Sequence, residues 1–189
     1  MTTNHSTERK RELVKLYDST AHTYDRRYKE IQRRKYRNFG SKFKKVGITL
    51  DVGCGTGLLL CMLGNRAGHI VGVDISTAML RIASKNLRKE SVSGSLIRAD
   101  AESLPFRGNV FANVASVTVL QNLTEPNRAI SEIARVAACG AQIALTCLGR
   151  KHSTAWLRKI ISSATSDLEV TSEWEDGEED IGINAAKPI

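Results

Sequence analysis

The chain is short of the residues that organise small metal modules. Its four cysteines, Cys54, Cys61, Cys139 and Cys147, form no C-x-x-C pair, and no histidine sits at metal-ligand spacing to them. No metal site is expected, and the cysteines read as reduced side chains packed as small hydrophobes. No apolar run approaches the ~20 residues that span a bilayer. The opening M-T-T-N-H-S-T-E-R-K lacks the apolar segment of a signal peptide. These absences set the expectation of a soluble, cytoplasmic protein. Neither a repeat nor a second domain is visible, and 189 residues suit one domain with a sizeable core.

What is present is a lopsided charge. Residues 1–45 hold 14 Lys or Arg against 5 Asp or Glu, so the net +8 of the whole chain resides there. Between Asp167 and Asp180 there are eight acids and no base. A basic arm of this kind suits phosphate partners, or equally an amphipathic helix that packs its aromatics on the sheet and solvates its charges. The acidic ribbon Glu173–Asp180 reads as a solvated turn.

The stretch I-T-L-D-V-G-C-G-T-G, Ile48 to Gly57, carries the chemistry. An apolar run ending in Asp51 reads as a buried parallel strand. Gly53, Gly55 and Gly57 follow at alternate positions, then a helix-compatible run from Leu58. Strand, glycine turn and helix bring backbone amides against a ligand. A dinucleotide fingerprint G-x-G-x-x-G would need glycine at position 58, where Leu58 stands. A nucleotide-dependent oxidoreductase is therefore disfavoured. A second apolar strand, H-I-V-G-V-D-I-S, ends in Asp74, placed to accept hydrogen bonds from a ribose diol. A third segment reads L-I-R-A-D-A-E-S-L-P-F, Leu96 to Phe106.

The D-x-G-x-G-x-G motif, the strand-end Asp74 and the A-D-A-E-S-L-P-F segment together resemble the class I S-adenosylmethionine (SAM) dependent methyltransferases, over roughly residues 20–189. The resemblance implies a Rossmann-like α/β fold, a seven-stranded sheet of order 3-2-1-4-5-7-6 with helices on both faces. It implies SAM as cofactor, held by Asp51, Gly53, Cys54, Gly55, Gly57, Asp74, Ile75, Asp100, Ala101 and Ser116. The segment Tyr17 to Tyr28 resembles an N-terminal lid, with Tyr24, Arg27 and Tyr28 as its cofactor candidates, against the alternative of a core role for the two tyrosines. The end of the fourth strand, Ser116 to Leu123, lacks the N-P-P-Y motif of amine methyltransferases and looks closer to S-x-x-V-L-x-H-L, with Asn122 in place of the histidine. No catalytic residue is assigned. Gln121 and Asn122 are the candidates, against the alternative of a plain polar loop. Methyl transfer from a sulfonium requires alignment and exclusion of water more than a base.

The element pattern predicts a short helix over Glu8–Leu16 interrupted by Asp18-Ser19-Thr20, then a basic helix over Ala21–Lys45. The chain thus divides into a basic N-terminal extension, 1–45, and a cofactor-binding core, 46–189. Strands are expected at Ile48–Asp51, Ile70–Asp74, Ser95–Arg98, Val110–Val119, Gly140–Leu148, Leu168–Trp174 and Ile181–Ala186, the last two around a turn at Gly177. Helices are expected at Leu58–Asn65, Thr77–Lys89 behind the N-cap Ser76, Thr124–Ala137 and His152–Ala164.

Three acceptor hypotheses follow. The basic arm, and a likeness to small tRNA and rRNA methyltransferases, favour RNA. Some of those enzymes use a zinc-binding activator protein on the edge strand, here Ser95–Arg98. A small-molecule acceptor of the ubiquinone or menaquinone type is the alternative. A SAM-binding subunit of a heterodimer is the third.

Overall fold

A computed structural model describes residues 2–64, 68–175 and 180–189, with side chains from Ser6 onward. Seven strands form one sheet: β1 (Ile48–Val52), β2 (His69–Asp74), β3 (Gly94–Arg98), β4 (Phe111–Val117), β5 (Ala137–Leu148), β6 (Glu169–Glu175) and β7 (Asp180–Ala186). Their order is β3-β2-β1-β4-β5-β7-β6, as the family resemblance implied. Every pairing is parallel except those of β7, which runs antiparallel to both β5 and β6. The expected turn at Gly177 and the end of the second helix at Asn65 lie outside the described residues.

Among the described residues five α-helices cover the two faces. Helices α4 (Pro126–Val136) and α5 (Thr154–Ala164) bury Ile130, Ile133, Leu157 and Ile161 against Leu50, Val114, Ile143 and Ile183. On the other face α1 (Thr2–Gly40), α2 (Leu58–Leu63) and α3 (Thr77–Lys89) pack Tyr36, Phe39, Leu59, Leu60 and Leu87 against Ile70, Ala115 and Ala144. Pro126 opens α4, where its missing N–H costs nothing, and Ser76 caps α3 by accepting the Met79 N–H.

The principal correction concerns α1. It is one helix of 39 residues, with no break at Asp18-Ser19-Thr20. The Ser19 and Thr20 hydroxyls both donate to the Leu16 carbonyl at 2.9 Å, so they bond within the helix instead of ending it. Asp18, although exposed, is held at the N-terminus of α3, accepting from the Ser76 hydroxyl and the Ala78 N–H. The helix also stops at Gly40, short of the expected Lys45. At its C-terminal end, Lys35 is buried and pairs with Asp180 at 2.5 Å. Asp180 is therefore a core residue and not part of a solvated ribbon. Cys139 is exposed, unlike the packed thiol expected there.

Among the described residues no helix is long and apolar enough to cross a membrane.

Candidate functional site

The C-terminal ends of β1, β2 and β4 open onto a cavity that α1 roofs. Its walls include Gly53, Gly55, Asp74, Ile75, Asp100, Ala101 and Thr118 from the sheet side, and Lys10, Tyr17 and Tyr24 from α1. The glycine turn is built by the sheet itself: the Gly53 and Cys54 N–H groups both donate to the Val73 carbonyl, at 2.8 and 2.9 Å. Gly55 has φ +52°, and a Cβ placed there would stand in open space, within 4 Å of nothing. A side chain would therefore project into unfilled room beside the turn, where a ligand needs the backbone bare. Gly57 serves packing: a Cβ there would meet Ala83 of α3 at 3.1 Å.

Asp74 ties this turn to the second strand. One carboxylate oxygen accepts the Gly55 N–H and the other accepts the Ser76 N–H, both at 2.8 Å. Burial pushes its carboxyl above the ordinary range, although those amides pull the other way. Beneath it, Asp51 is buried, and burial together with the Asp74 charge raises its carboxyl to about 8. Of the two acids only Asp74 faces the cavity; Asp51 lies behind the wall.

At the far end of the cavity, Asp100 and Glu102 receive α1. The Lys10 ammonium donates to Asp100 at 2.7 Å and also pairs with Glu102. Glu102 accepts the Thr124 and Glu125 N–H groups at 2.9 Å. Burial opposes its charge, but Lys10, the Glu125 amide and the Thr124 hydroxyl outweigh burial and hold the carboxyl below its usual value. Further along α1, the Tyr17 hydroxyl accepts from Asn122 at 2.9 Å, and Asp25 accepts from Thr56 and Asn86.

A second cavity, of about 340 Å³, adjoins the first. Tyr17, Tyr24, Thr118 and Asn122 line both. Its other walls include Arg27, Tyr28, Lys35, Gln121 and Arg150. Thr118 stands between the two cavities with φ +61°, a conformation that a β-branched residue adopts only when its surroundings impose it. Four bonds do so. Its N–H meets the Thr146 hydroxyl at 2.9 Å and the Thr146 carbonyl at 3.1 Å. Its hydroxyl accepts from Lys35 at 3.0 Å, and its carbonyl accepts from Gln121 at 2.7 Å.

The sequence candidates thus separate. Gly53, Gly55, Asp74, Ile75, Asp100, Ala101 and Tyr24 meet at the first cavity. Asp51, Cys54, Gly57 and Ser116 do not line it, and the Ser116 hydroxyl is buried without a hydrogen-bond partner. Arg27 and Tyr28 line the second cavity instead. Asn122 touches both cavities and Gln121 the second, and each is anchored to the Thr118 carbonyl. Among the described residues no cluster of His, Cys, Asp or Glu could hold a metal ion.

Sequence reasoning missed Lys10, Tyr17, Asp18, Asp25 and Thr118. The signal for the first four was present. Lys10, Tyr17 and Tyr24 recur every seven residues, as do Asp18, Asp25 and Gln32. Two turns of helix put each set on one face. Thr118 left no signal, because its role lies in backbone conformation.

Comparison with known proteins agrees with this geometry. Residues 50–145, just over half of the chain, match the family model described as a methyltransferase domain. A demethylmenaquinone methyltransferase of Lactiplantibacillus plantarum is 31% identical over 144 residues, covering 70% of this chain and 60% of that protein. A malonyl-[acyl-carrier protein] O-methyltransferase of Geobacter sulfurreducens is 34% identical over 146 residues, covering 74% of this chain and 54% of that protein. The chain thus spans little more than half the length of these two relatives. A Haloferax volcanii putative methyltransferase, solved in complex with the Trm112 methyltransferase activator, shares the fold. It has a TM-score of 0.78 and 16% identity, covering 93% of this chain and 97% of that one. The bare glycine turn, the amide-bound Asp74 and the matched domain carry one conclusion: the chain belongs to the SAM-dependent methyltransferase family.

Proposed function

We propose that the chain transfers the methyl group of SAM to a small-molecule acceptor held in the second cavity. The observation that carries this reading is the pair of adjoining cavities under α1, with Thr118 and Asn122 in the wall common to both. The residues of the first cavity fit the donor. Asp74 offers its carboxylate to a ribose diol, Asp100 and Ala101 face an adenine, and the bare Gly53–Gly55 backbone receives the methionine end. When bound, SAM supplies a sulfonium-activated methyl group. The protein's part is placement: α1 closes the roof through Lys10, Tyr17 and Asp25, excluding water, while Thr118 and Asn122 fix the passage between the sites. The names of the two relatives, a demethylmenaquinone methyltransferase and a malonyl-[acyl-carrier protein] O-methyltransferase, support a non-nucleic-acid acceptor.

A second reading is RNA, the acceptor the basic arm favoured. Arg26, Arg33, Arg34 and Arg37 are exposed on α1. Strand β3 is a sheet edge, where the expected activator protein would pair, and the Haloferax volcanii protein of the same fold is bound to such an activator.

Label transfer from methyl-labelled SAM into a cell extract separates the two. The first reading expects label in the solvent-extractable fraction. Label released only by nuclease would overturn it and establish the second.

A further inference from the structure

The second cavity is electrically one-sided. Its lining holds three cations, Arg27, Lys35 and Arg150, and no aspartate, glutamate or histidine. Lys35 is neutralised by Asp180 and bonded to Thr118. Arg27 and Arg150 have no ion pair or hydrogen bond among the described residues. They come from different walls, Arg27 from α1 and Arg150 from the turn that follows β5. Beside these two exposed arginines the lining is mixed, with Leu16, Ile31, Leu148 and three tyrosines next to neutral polar groups such as Thr20, Gln32 and Gln121. Two unpaired guanidiniums on a wall without a carboxylate match a planar or tetrahedral oxyanion attached to an organic body.

The absence of an acid or imidazole from this lining has a chemical consequence. No carboxylate or imidazole there takes a proton from the acceptor. Tyr17 and Tyr24 do not serve either, because burial raises their phenols above the ordinary value and keeps them protonated near neutral pH. An acceptor whose attacking atom is itself an oxyanion needs no such group, since no proton is released.

We propose that the second cavity binds a small organic anion, a carboxylate or a phosphate monoester on an apolar body, between Arg27 and Arg150. This rests on the small-molecule reading above and names the acceptor's chemical class. Arg27 is thereby an acceptor-binding residue and not the cofactor contact the lid resemblance implied.

Protein saturated with S-adenosylhomocysteine is titrated with benzoate, phenyl phosphate and the uncharged benzamide. Benzoate or phenyl phosphate should bind at least about tenfold more tightly than benzamide, since a guanidinium–oxyanion pair is worth that much or more. Whichever of the two binds more tightly identifies carboxylate or phosphate as the recognised group. R27Q and R150Q should each weaken that anion about tenfold, while S-adenosylhomocysteine affinity stays at the wild-type value. Benzamide binding as tightly as both anions would overturn the proposal. So would wild-type anion affinity in both variants, or no anion binding to protein that has bound S-adenosylhomocysteine. Failure of the wild-type chain to bind S-adenosylhomocysteine would overturn the methyltransferase reading itself, a separate and earlier result.

Discussion

Replacing Lys35 with methionine should be among the most destabilising single changes available in this chain. The Lys35 side chain is 2% exposed and that of Asp180 fully buried, with nitrogen and oxygen 2.5 Å apart. Removing the ammonium leaves a carboxylate in a dry site without its counter-charge, which costs about 3–5 kcal/mol. The lost bond to the Thr118 hydroxyl, at 3.0 Å, adds about 1 kcal/mol. The sum, about 4–6 kcal/mol, is a large part of a domain's typical ~5–15 kcal/mol. K35M/D180N removes both charges and should recover about 2–4 kcal/mol of that loss; this recovery added to the D180N single-mutant loss is the coupling energy of the pair. Urea unfolding followed by circular dichroism at fixed pH supplies the four stabilities. K35M within about 1 kcal/mol of wild type, or strictly additive single effects, would refute the claim that this pair fastens α1 over the site.

Other perturbations have equally definite outcomes. Asp51 is held near 8 in the folded state against 3.8 for the ordinary group, so the folded chain binds its proton more tightly. Its contribution to stability is complete below the ordinary value and is lost as pH rises through about 8; D51N, which cannot titrate, should flatten the fall between about pH 5 and pH 8 by up to ~1.4 kcal/mol per pH unit. An unchanged slope in urea titrations of D51N would contradict that assignment. K10M should release the first turns of α1, raising amide exchange around Leu13 by about tenfold, while Glu102 keeps its bonds to Thr124 and Glu125. Unaltered exchange would show that Lys10 does not fasten the roof.

The floor of the first cavity was legible because its signals are local, whereas the sheet order came from the family resemblance. Gly53, Gly55 and Asp74 lie within one strand–turn–helix–strand unit, where spacing in sequence is spacing in space. The roof was not legible for the opposite reason. Asp18, Ser19 and Thr20 have the composition of a helix breaker, yet tertiary partners and the Leu16 carbonyl satisfy their side chains, so the helix runs on. Asp180 reads as surface until the fold brings Lys35 to it. The boundaries of β4 and β5 shifted for a related cause. Thr118, at positive φ, ends β4 before Val119, and β5 begins at Ala137 rather than at Gly140, which lies within the strand at φ +74°.

The most direct test of the account is a calorimetric titration of S-adenosylhomocysteine, with NADH in parallel, into the wild-type chain and D74N. The geometry of the Gly55–Asp74–Ser76 cluster predicts one site for S-adenosylhomocysteine, none for NADH, and a loss of about 1–3 kcal/mol in D74N from weakened buried hydrogen bonds. Equal affinity in D74N, or a preference for NADH, would contradict the assignment of the cavity under α1 as the cofactor site.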